Sequence, residues 1–316
     1  LFIRILYKLR QLFERNLFDN KKFLENLKKD ILNSGCISIK FTQWIISKLK
    51  GSDNIDKYEE IIEFFEEVFE NCKFHPKEYS KSRIEELFDD NFENIFDIYN
   101  FEPIASGSIG QVYKTKYINE DKDIIIKIRH PNIEYIKSYQ MIFVYFIIFL
   151  QKFRYFKNRY HLHFNLNDFI ENINRQIDLN IESTNCLKMA NIYKDNKLVI
   201  VPEIYKFNKD VIISSYEPGE YIDDIPDYQK CKVAINLLCL VNDMCLINNF
   251  MHGDMHSRNW KVREFENTYQ IILYDFGICF TGPDKEYNKK LWLNGETQQI
   301  EKIIELFLDE NVYIDN

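Results

Sequence analysis

Three side chains constrain this sequence more than anything else in it. Asp254 and Asn259 stand five residues apart in HGDMHSRN (252–259), and Asp275 follows in YDFG (274–277). The stretch around YQIILYDFG reads as a strand pair that carries Asp275. Oxygen donors gathered in this way serve chemistry that needs several ligands around one centre.

The rest of the chain frames that loop. Residues 1–97 are read as a helical extension, in which YEEIIEFFEEVF places Tyr58, Ile61, Ile62, Phe65, Val68 and Phe69 on one face and His75-Pro76 breaks the chain before a further helix at SRIEELF. From FEPIASGSIGQVYKTKY to DIIIKIRHP the pattern changes to short strands around a glycine-bearing turn. Helices return at about 132–194, LVIVPEIY and DVIISSYEPG read as two more strands, and 228–250 and 297–308 read as helices. The order predicts an α+β, two-lobed protein with a cleft, divided as 1–97, a smaller lobe with inserted helices at 98–220, and a shortened helical lobe at 221–316.

Charge separates the start from the remainder. The chain carries a net −8, but residues 1–50 hold eleven Lys/Arg against four Asp/Glu, a net +7 that leaves −15 for the rest. The acidic sum argues against nucleic acid as a partner. Phe2, Ile5, Leu6, Leu9, Leu12 and Phe13 recur at helical spacing, with Arg4, Lys8, Arg10 and Arg15 mostly between them. Such a helix suits a membrane surface, yet apolar stripes normally face a core, and packing on the protein itself is the first expectation. MIFVYFIIFL (141–150) falls short of the roughly 20 residues needed to span a bilayer and is expected as a buried helix. Seven cysteines without a CxxC pair point to a reducing compartment rather than a disulfide framework or zinc site, and His161 and His163 have no cysteine or carboxylate cluster to complete a metal site.

PIASGSIGQV (103–112) supplies a loop of Ala105, Ser106, Gly107, Ser108 and Gly110 whose backbone can approach a phosphate closely. A structural hairpin explains that loop equally well when it is taken alone. Lys127, in IIIKIRHP, is a lysine among apolar neighbours on a strand expected to be buried, where it needs a counter-charge, and Glu182 in QIDLNIESTN is its candidate partner. A turn or a helix cap accounts for any single Asp. Five elements in this order match the apparatus of kinase-type phosphoryl transfer: a phosphate loop, Lys127 with Glu182, Asp254 as base or hydroxyl-orienting group, and Asn259 and Asp275 as Mg²⁺ ligands. ATP and Mg²⁺ are the expected cofactors.

These motifs resemble the UbiB/ADCK family of atypical kinases over about residues 30–285. ASGSIGQV (105–112) is similar to the family's A-A-A-S-I-G-Q-V, IKIRHP to V-K-V-Q-H-P, and HGDMHSRN to H-A-D-P-H-P-G-N, with DFG shared. Lys40-Phe41-Thr42-Gln43 resembles the K-x-G-Q helix motif, and Gln176-Ile177-Asp178 stands where the family has E-x-D. The resemblance implies a protein-kinase-like fold, ATP turnover in support of quinone or lipid metabolism, and a membrane-associated or mitochondrial location. It also implies that Lys40 and Gln43 lie over the nucleotide site near Asp178 and close it to protein substrates, with neutral Gln176 holding that gate less firmly than a glutamate.

Departures matter too. Thr42 replaces the motif glycine, Gly107 replaces the third alanine, Gly253 fills the arginine position of H-R-D, and no A-P-E follows Asp275. Activation by loop phosphorylation is therefore not expected. Two other functions fit the residues: a nucleotide-binding pseudokinase, and a small-molecule kinase of the aminoglycoside or choline type. The phosphate acceptor is unnamed by the sequence.

Overall fold

The computed structural model describes residues 1–50, 58–69, 72–97, 101–118, 120, 122–153 and 166–282. His161, His163 and the helix expected at 297–308 lie outside them. The chain forms two compact units, one of Leu1–Asn180 with Tyr205–Ser214, the other of Ile181–Ile204 with Ser215–Asn316.

In the first unit, α1 (Phe2–Glu14), α2 (Lys21–Ser34), α3 (Cys36–Lys50) and α4 (Glu59–Phe69) build one apolar core. Ile5, Leu9 and Leu12 of the basic helix are buried there with Leu27 and Ile31 of α2 and Ile37 and Phe41 of α3. That stripe is thus a core face, while Leu1, Ile3 and Tyr7 are exposed on the rest of the helix; the side chains of Phe2 and Phe13 lie outside the described set. Arg4 and Lys8 both reach Asp30, at 2.9 and 2.7 Å. The helices α5 (Lys77–Phe88) and α6 (Phe92–Ile95) follow, α5 beginning directly after Pro76.

The sheet of this unit has the order β1-β2-β3-β6-β5, with β1 Glu102–Ser106, β2 Gly110–Lys116, β3 Asp123–Arg129, β5 Ile204–Phe207 and β6 Val211–Ser215. Successive strand residues face opposite sides. Ile124, Ile126 and Ile128 of β3 therefore bury together against Tyr113, Phe92 and Val211, while Lys127, opposite Val112, faces the other way. The expectation of a buried strand lysine needs correction: Lys127 is half-buried, because alternation takes it out of the isoleucine face.

Two further helices, α7 (Ile133–Gln151) and α8 (Leu166–Gln176), join the N-terminal core. MIFVYFIIFL lies within α7 and differs from its expected burial. Met141 and Val144 are buried, but Ile142, Tyr145, Phe146 and Phe149 are exposed, since only one stripe of the helix meets the core.

The second unit holds most of α9 (Leu179–Tyr193), then β4 (Val199–Ile200), α10 (Asp227–Asn242) with a π-helical continuation to Asn248, β7 (Phe250–His252), β8 (Trp260–Phe265), β9 (Thr268–Leu273) and β10 (Cys279–Thr281). β4 pairs parallel with β9, β8 antiparallel with β9, and β10 antiparallel with β7. LVIVPEIY, expected as one strand, is split into β4 and β5 around Pro202, which has no N–H to continue a ladder. Among the described residues, Asp227–Asn248 is long and apolar enough to cross a membrane by length and composition; its Val233, Leu240 and Met244 are buried in this unit's core. No disulfide joins the seven cysteines.

Candidate functional site

Chemistry-bearing residues occur in both units. In the first, β1 and β2 are joined by the glycine loop, whose Gly107 N–H donates to Gly110 O at 3.0 Å. A Cβ on Gly110 would lie 2.7 Å from Ile128 O, so only glycine allows β2 to approach β3 here. Gly107 has no such requirement, because the nearest atom to an added Cβ is 3.8 Å away. Ile109, at the loop's tip, is buried in the core of the N-terminal helices.

The segment between α4 and α5 supports the same loop. Cys72 N–H donates to Ser106 O at 3.0 Å, and the Ser106 hydroxyl donates to Lys73 O at 3.3 Å. Lys40, on α3, is close enough to Cys72 and Cys36 for its charge to offset part of the rise that burial imposes on both thiols, each pushed up to about 11. Thr42 is buried and its hydroxyl donates to Ser38 O at 2.9 Å, so the residue in the motif's glycine position is absorbed into the helix. Phe41 and Trp44 pack on Phe169 of α8, with ring centroids 5.2 and 5.9 Å apart. That contact leaves Gln176 two turns further on, at the end of α8.

Asp178 acts locally, its carboxylate accepting the Asn180 N–H at 3.0 Å and capping the start of α9. Ile177 O, between Gln176 and Asp178, accepts from Arg129 at 3.0 Å. Arg129 is buried, and its guanidinium also meets Asp210 and Glu134. One cation thus fixes the end of β3, the β5–β6 turn and the α8–α9 junction.

In the second unit, the β8–β9 register pairs Trp260 with Leu273 and so brings Asn259 beside Tyr274. Tyr274 N–H donates to Asn259 O at 2.9 Å. The buried His252 ties the two loops again, since its Nε2–H donates to Tyr274 O at 2.8 Å while Nδ1 accepts the Asp254 N–H at 3.3 Å. Asn259 Nδ2 donates to Asp254 O at 2.9 Å and to the Asp254 carboxylate at 3.2 Å, which turns the Asn259 amide oxygen away from Asp254. Asp275 is exposed, and its φ of +53° lies in the left-handed region that Asp tolerates better than most residues. Its neighbour Phe276 is buried against His252, and Asn185 of α9 donates to Phe276 O at 2.9 Å.

Glu182 lies one turn before Asn185 and is buried. Burial, followed by the charges of Asp275 and Glu182, pushes the Cys279 thiol up to about 12, and burial with Glu182 does the same to Cys186. Glu182 and the DFG aspartate therefore act on a common neighbourhood. Gly253 also has a steric reason: a Cβ there would stand 2.8 Å from Ile278 Cγ2 and 2.9 Å from Phe280 Cε1. Asp254, Asn259 and Asp275 carry hard oxygen donors of the kind magnesium takes. Among the described residues no cluster of three His, Cys, Asp or Glu could hold a metal by itself.

Sequence reasoning passed over His75, Ser80, Tyr113, Gln111 and His130, which form a connected polar chain beneath the glycine loop. The dipeptides Gln111-Val112 and His130-Pro131, both inside the quoted motifs, were the available signal.

The model of the ABC1 atypical kinase-like domain matches residues 67–306. A Dictyostelium discoideum protein named "Probable serine/threonine-protein kinase abkC" is 28% identical over 236 residues, covering 73% of this chain and 33% of that protein. A Shewanella denitrificans protein named "Probable protein kinase UbiB" is 24% identical over 308 residues, covering 93% of this chain and 55% of that one. The chain thus spans from a third to just over half the length of these two relatives. Among solved structures, the complex of Rv3197 with erythromycin from Mycobacterium tuberculosis is similar with a TM-score of 0.51 and 18% identity, over 72% of this chain and 59% of that one, a likeness of fold alone.

Proposed function

The chain belongs to the ABC1 atypical kinase-like family, and from that premise we propose that it binds Mg-ATP and transfers or hydrolyses the γ-phosphate, in support of quinone or lipid metabolism. The observation that carries this reading is the Asn259 amide. Its nitrogen is committed to Asp254, and among the described residues its oxygen accepts no hydrogen bond. It is left to ligate a metal beside Asp275. Asn259 and Asp275 would hold magnesium there, and the ion would supply charge neutralisation for a transferred phosphoryl group.

The remaining roles fall to this chain's own groups. The backbone of Ala105–Gly110 and the ammonium of Lys127 hold the phosphates. Asp254 orients the attacking hydroxyl or water and accepts its proton. Lys40 and Gln43 regulate access to the nucleotide, with Gln176 and Asp178 as their counterpart. Lys40 supports that role by its Coulombic reach to Cys72, whose amide holds Ser106 of the glycine loop. The basic N-terminal helix offers its outer face to a membrane surface.

The test is phosphate release from Mg-ATP by the full chain. Asp254→Asn should lower turnover by about 10²–10⁴-fold while leaving nucleotide binding intact, and Lys40→Ala should change turnover in either direction. A parent that binds Mg-ATP without releasing phosphate belongs to the pseudokinase reading, and an unchanged Lys40→Ala removes the gate.

A further inference from the structure

Beneath the glycine loop runs a chain of polar side chains, all buried except the half-buried His130, that the proposed chemistry does not use. Gln111 Nε2 donates to the Tyr113 hydroxyl, and the hydroxyls of Tyr113 and Ser80 are 2.8 Å apart. Ser80 Oγ is 2.7 Å from His75 Nε2, His75 Nδ1 is 2.7 Å from His130 Nδ1, and His130 Nε2 is 3.0 Å from Gly107 O. The main chain closes the circuit. His75 N–H donates to Gln111 Oε1 at 2.8 Å, and His130 N–H donates to Ile109 O at 2.9 Å.

The two ends decide every proton between them. A carbonyl only accepts, so His130 Nε2 must carry hydrogen, which in a neutral ring leaves Nδ1 as acceptor. His75 Nδ1 must then donate, and its Nε2 must accept from Ser80. Ser80 accepts in turn from Tyr113, and Tyr113 accepts from the Gln111 amide, which can only donate. Both imidazoles are neutral, and the chain runs in one direction from Gln111 to Gly107. Reversing any member leaves two donors facing each other or a buried hydroxyl without an acceptor, and such a group costs more than a hydrogen bond contributes.

We infer that His130 and His75 are positioning residues for the glycine loop, holding the carbonyls of Gly107 and Ile109 so that the loop is set for a nucleoside triphosphate before the nucleotide arrives. The nucleotide half of this inference rests on the function proposed above; the loop half does not. The histidine pair also explains why the segment between α4 and α5 belongs with the loop. The His75 ring supports Gly107 through His130, while Cys72 and Lys73 hold Ser106 directly.

The test uses the full chain without nucleotide first. Ring ¹⁵N spectra near neutral pH should show His130 as the Nε2–H tautomer and His75 as the Nδ1–H tautomer. Hydrogen exchange of the 106–110 amides should speed up at least about tenfold in His130→Ala. It should stay near the parent rate in His130→Gln, whose amide can donate to Gly107 O and accept from His75. Mg-ATP affinity should follow the same order, with about a tenfold loss for alanine and rescue by glutamine. A cationic histidine at neutral pH, the opposite tautomers, or exchange in His130→Gln as fast as in His130→Ala overturns the positioning role. If the tautomers and exchange rates come out as expected but the parent binds no nucleotide, the loop device stands and the ATP reading falls. Should His130→Ala fail to fold, the parent's tautomers and His130→Gln still decide the matter.

Discussion

Acid should act on this protein first at His75. Burial, and then the neighbouring His130, bring its pKa down from 6.5 to about 4, and burial lowers His130 too. Below the ordinary value of 6.5 the unfolded chain takes up protons that the folded chain refuses. Stability is therefore fully present above about pH 6.5 and drains away toward about pH 4. The charges around this pair are themselves paired, Arg129 with Asp210 and Glu134, and Lys77 with Glu102. Urea unfolding of the parent between about pH 7 and about pH 4 should show that loss, and His75→Gln should flatten it. Equal slopes for the two proteins would contradict the neutral pair. The motifs that carry Gln111 and His130 gave no sign of the pairing itself, because His75 and His130 stand 55 residues apart and His75 alone reads as a chain break.

At the scale of elements, the contrast between two glycines of one loop gives a sharp expectation. Alanine at Gly110 must push against the backbone oxygen of Ile128 at 2.7 Å, whereas alanine at Gly107 meets nothing nearer than 3.8 Å. Thermal or urea unfolding should find Gly110→Ala less stable by about 1–3 kcal/mol and Gly107→Ala close to the parent. Equal losses would show that the β2–β3 approach is not what requires glycine. Element types were largely legible, since helical stripes such as Ile5, Leu9 and Leu12 and the alternation of Ile124, Ile126 and Ile128 report the face each buries. Three readings went astray for want of the third dimension. Pro202 divides a run that looks continuous, α7 buries one stripe of an all-apolar segment, and Lys127 faces away from the isoleucines that seemed to enclose it.

Across the whole molecule, the loop of Asp254 and Asn259 and the strand pair before Asp275 were legible as elements, and hydrogen bonds of Asn259 and His252 with Tyr274 join the two. The charge contrast between the first 50 residues and the rest was legible as well, but its physical use is partly internal, with Arg4 and Lys8 spent on Asp30. If Asp275 and Asn259 hold magnesium for a bound nucleotide, thermal unfolding with saturating ATP, with and without Mg²⁺, reports it. A ligand at a hundredfold excess over its dissociation constant adds about 2.7 kcal/mol to the folded state. The parent should therefore melt several degrees higher with Mg-ATP than with ATP alone, and Asp275→Asn should lose that difference while unfolding normally without ligand. A parent whose midpoint does not move with Mg-ATP, or an Asp275→Asn variant that gains as much as the parent, would mean that these residues do not hold the metal.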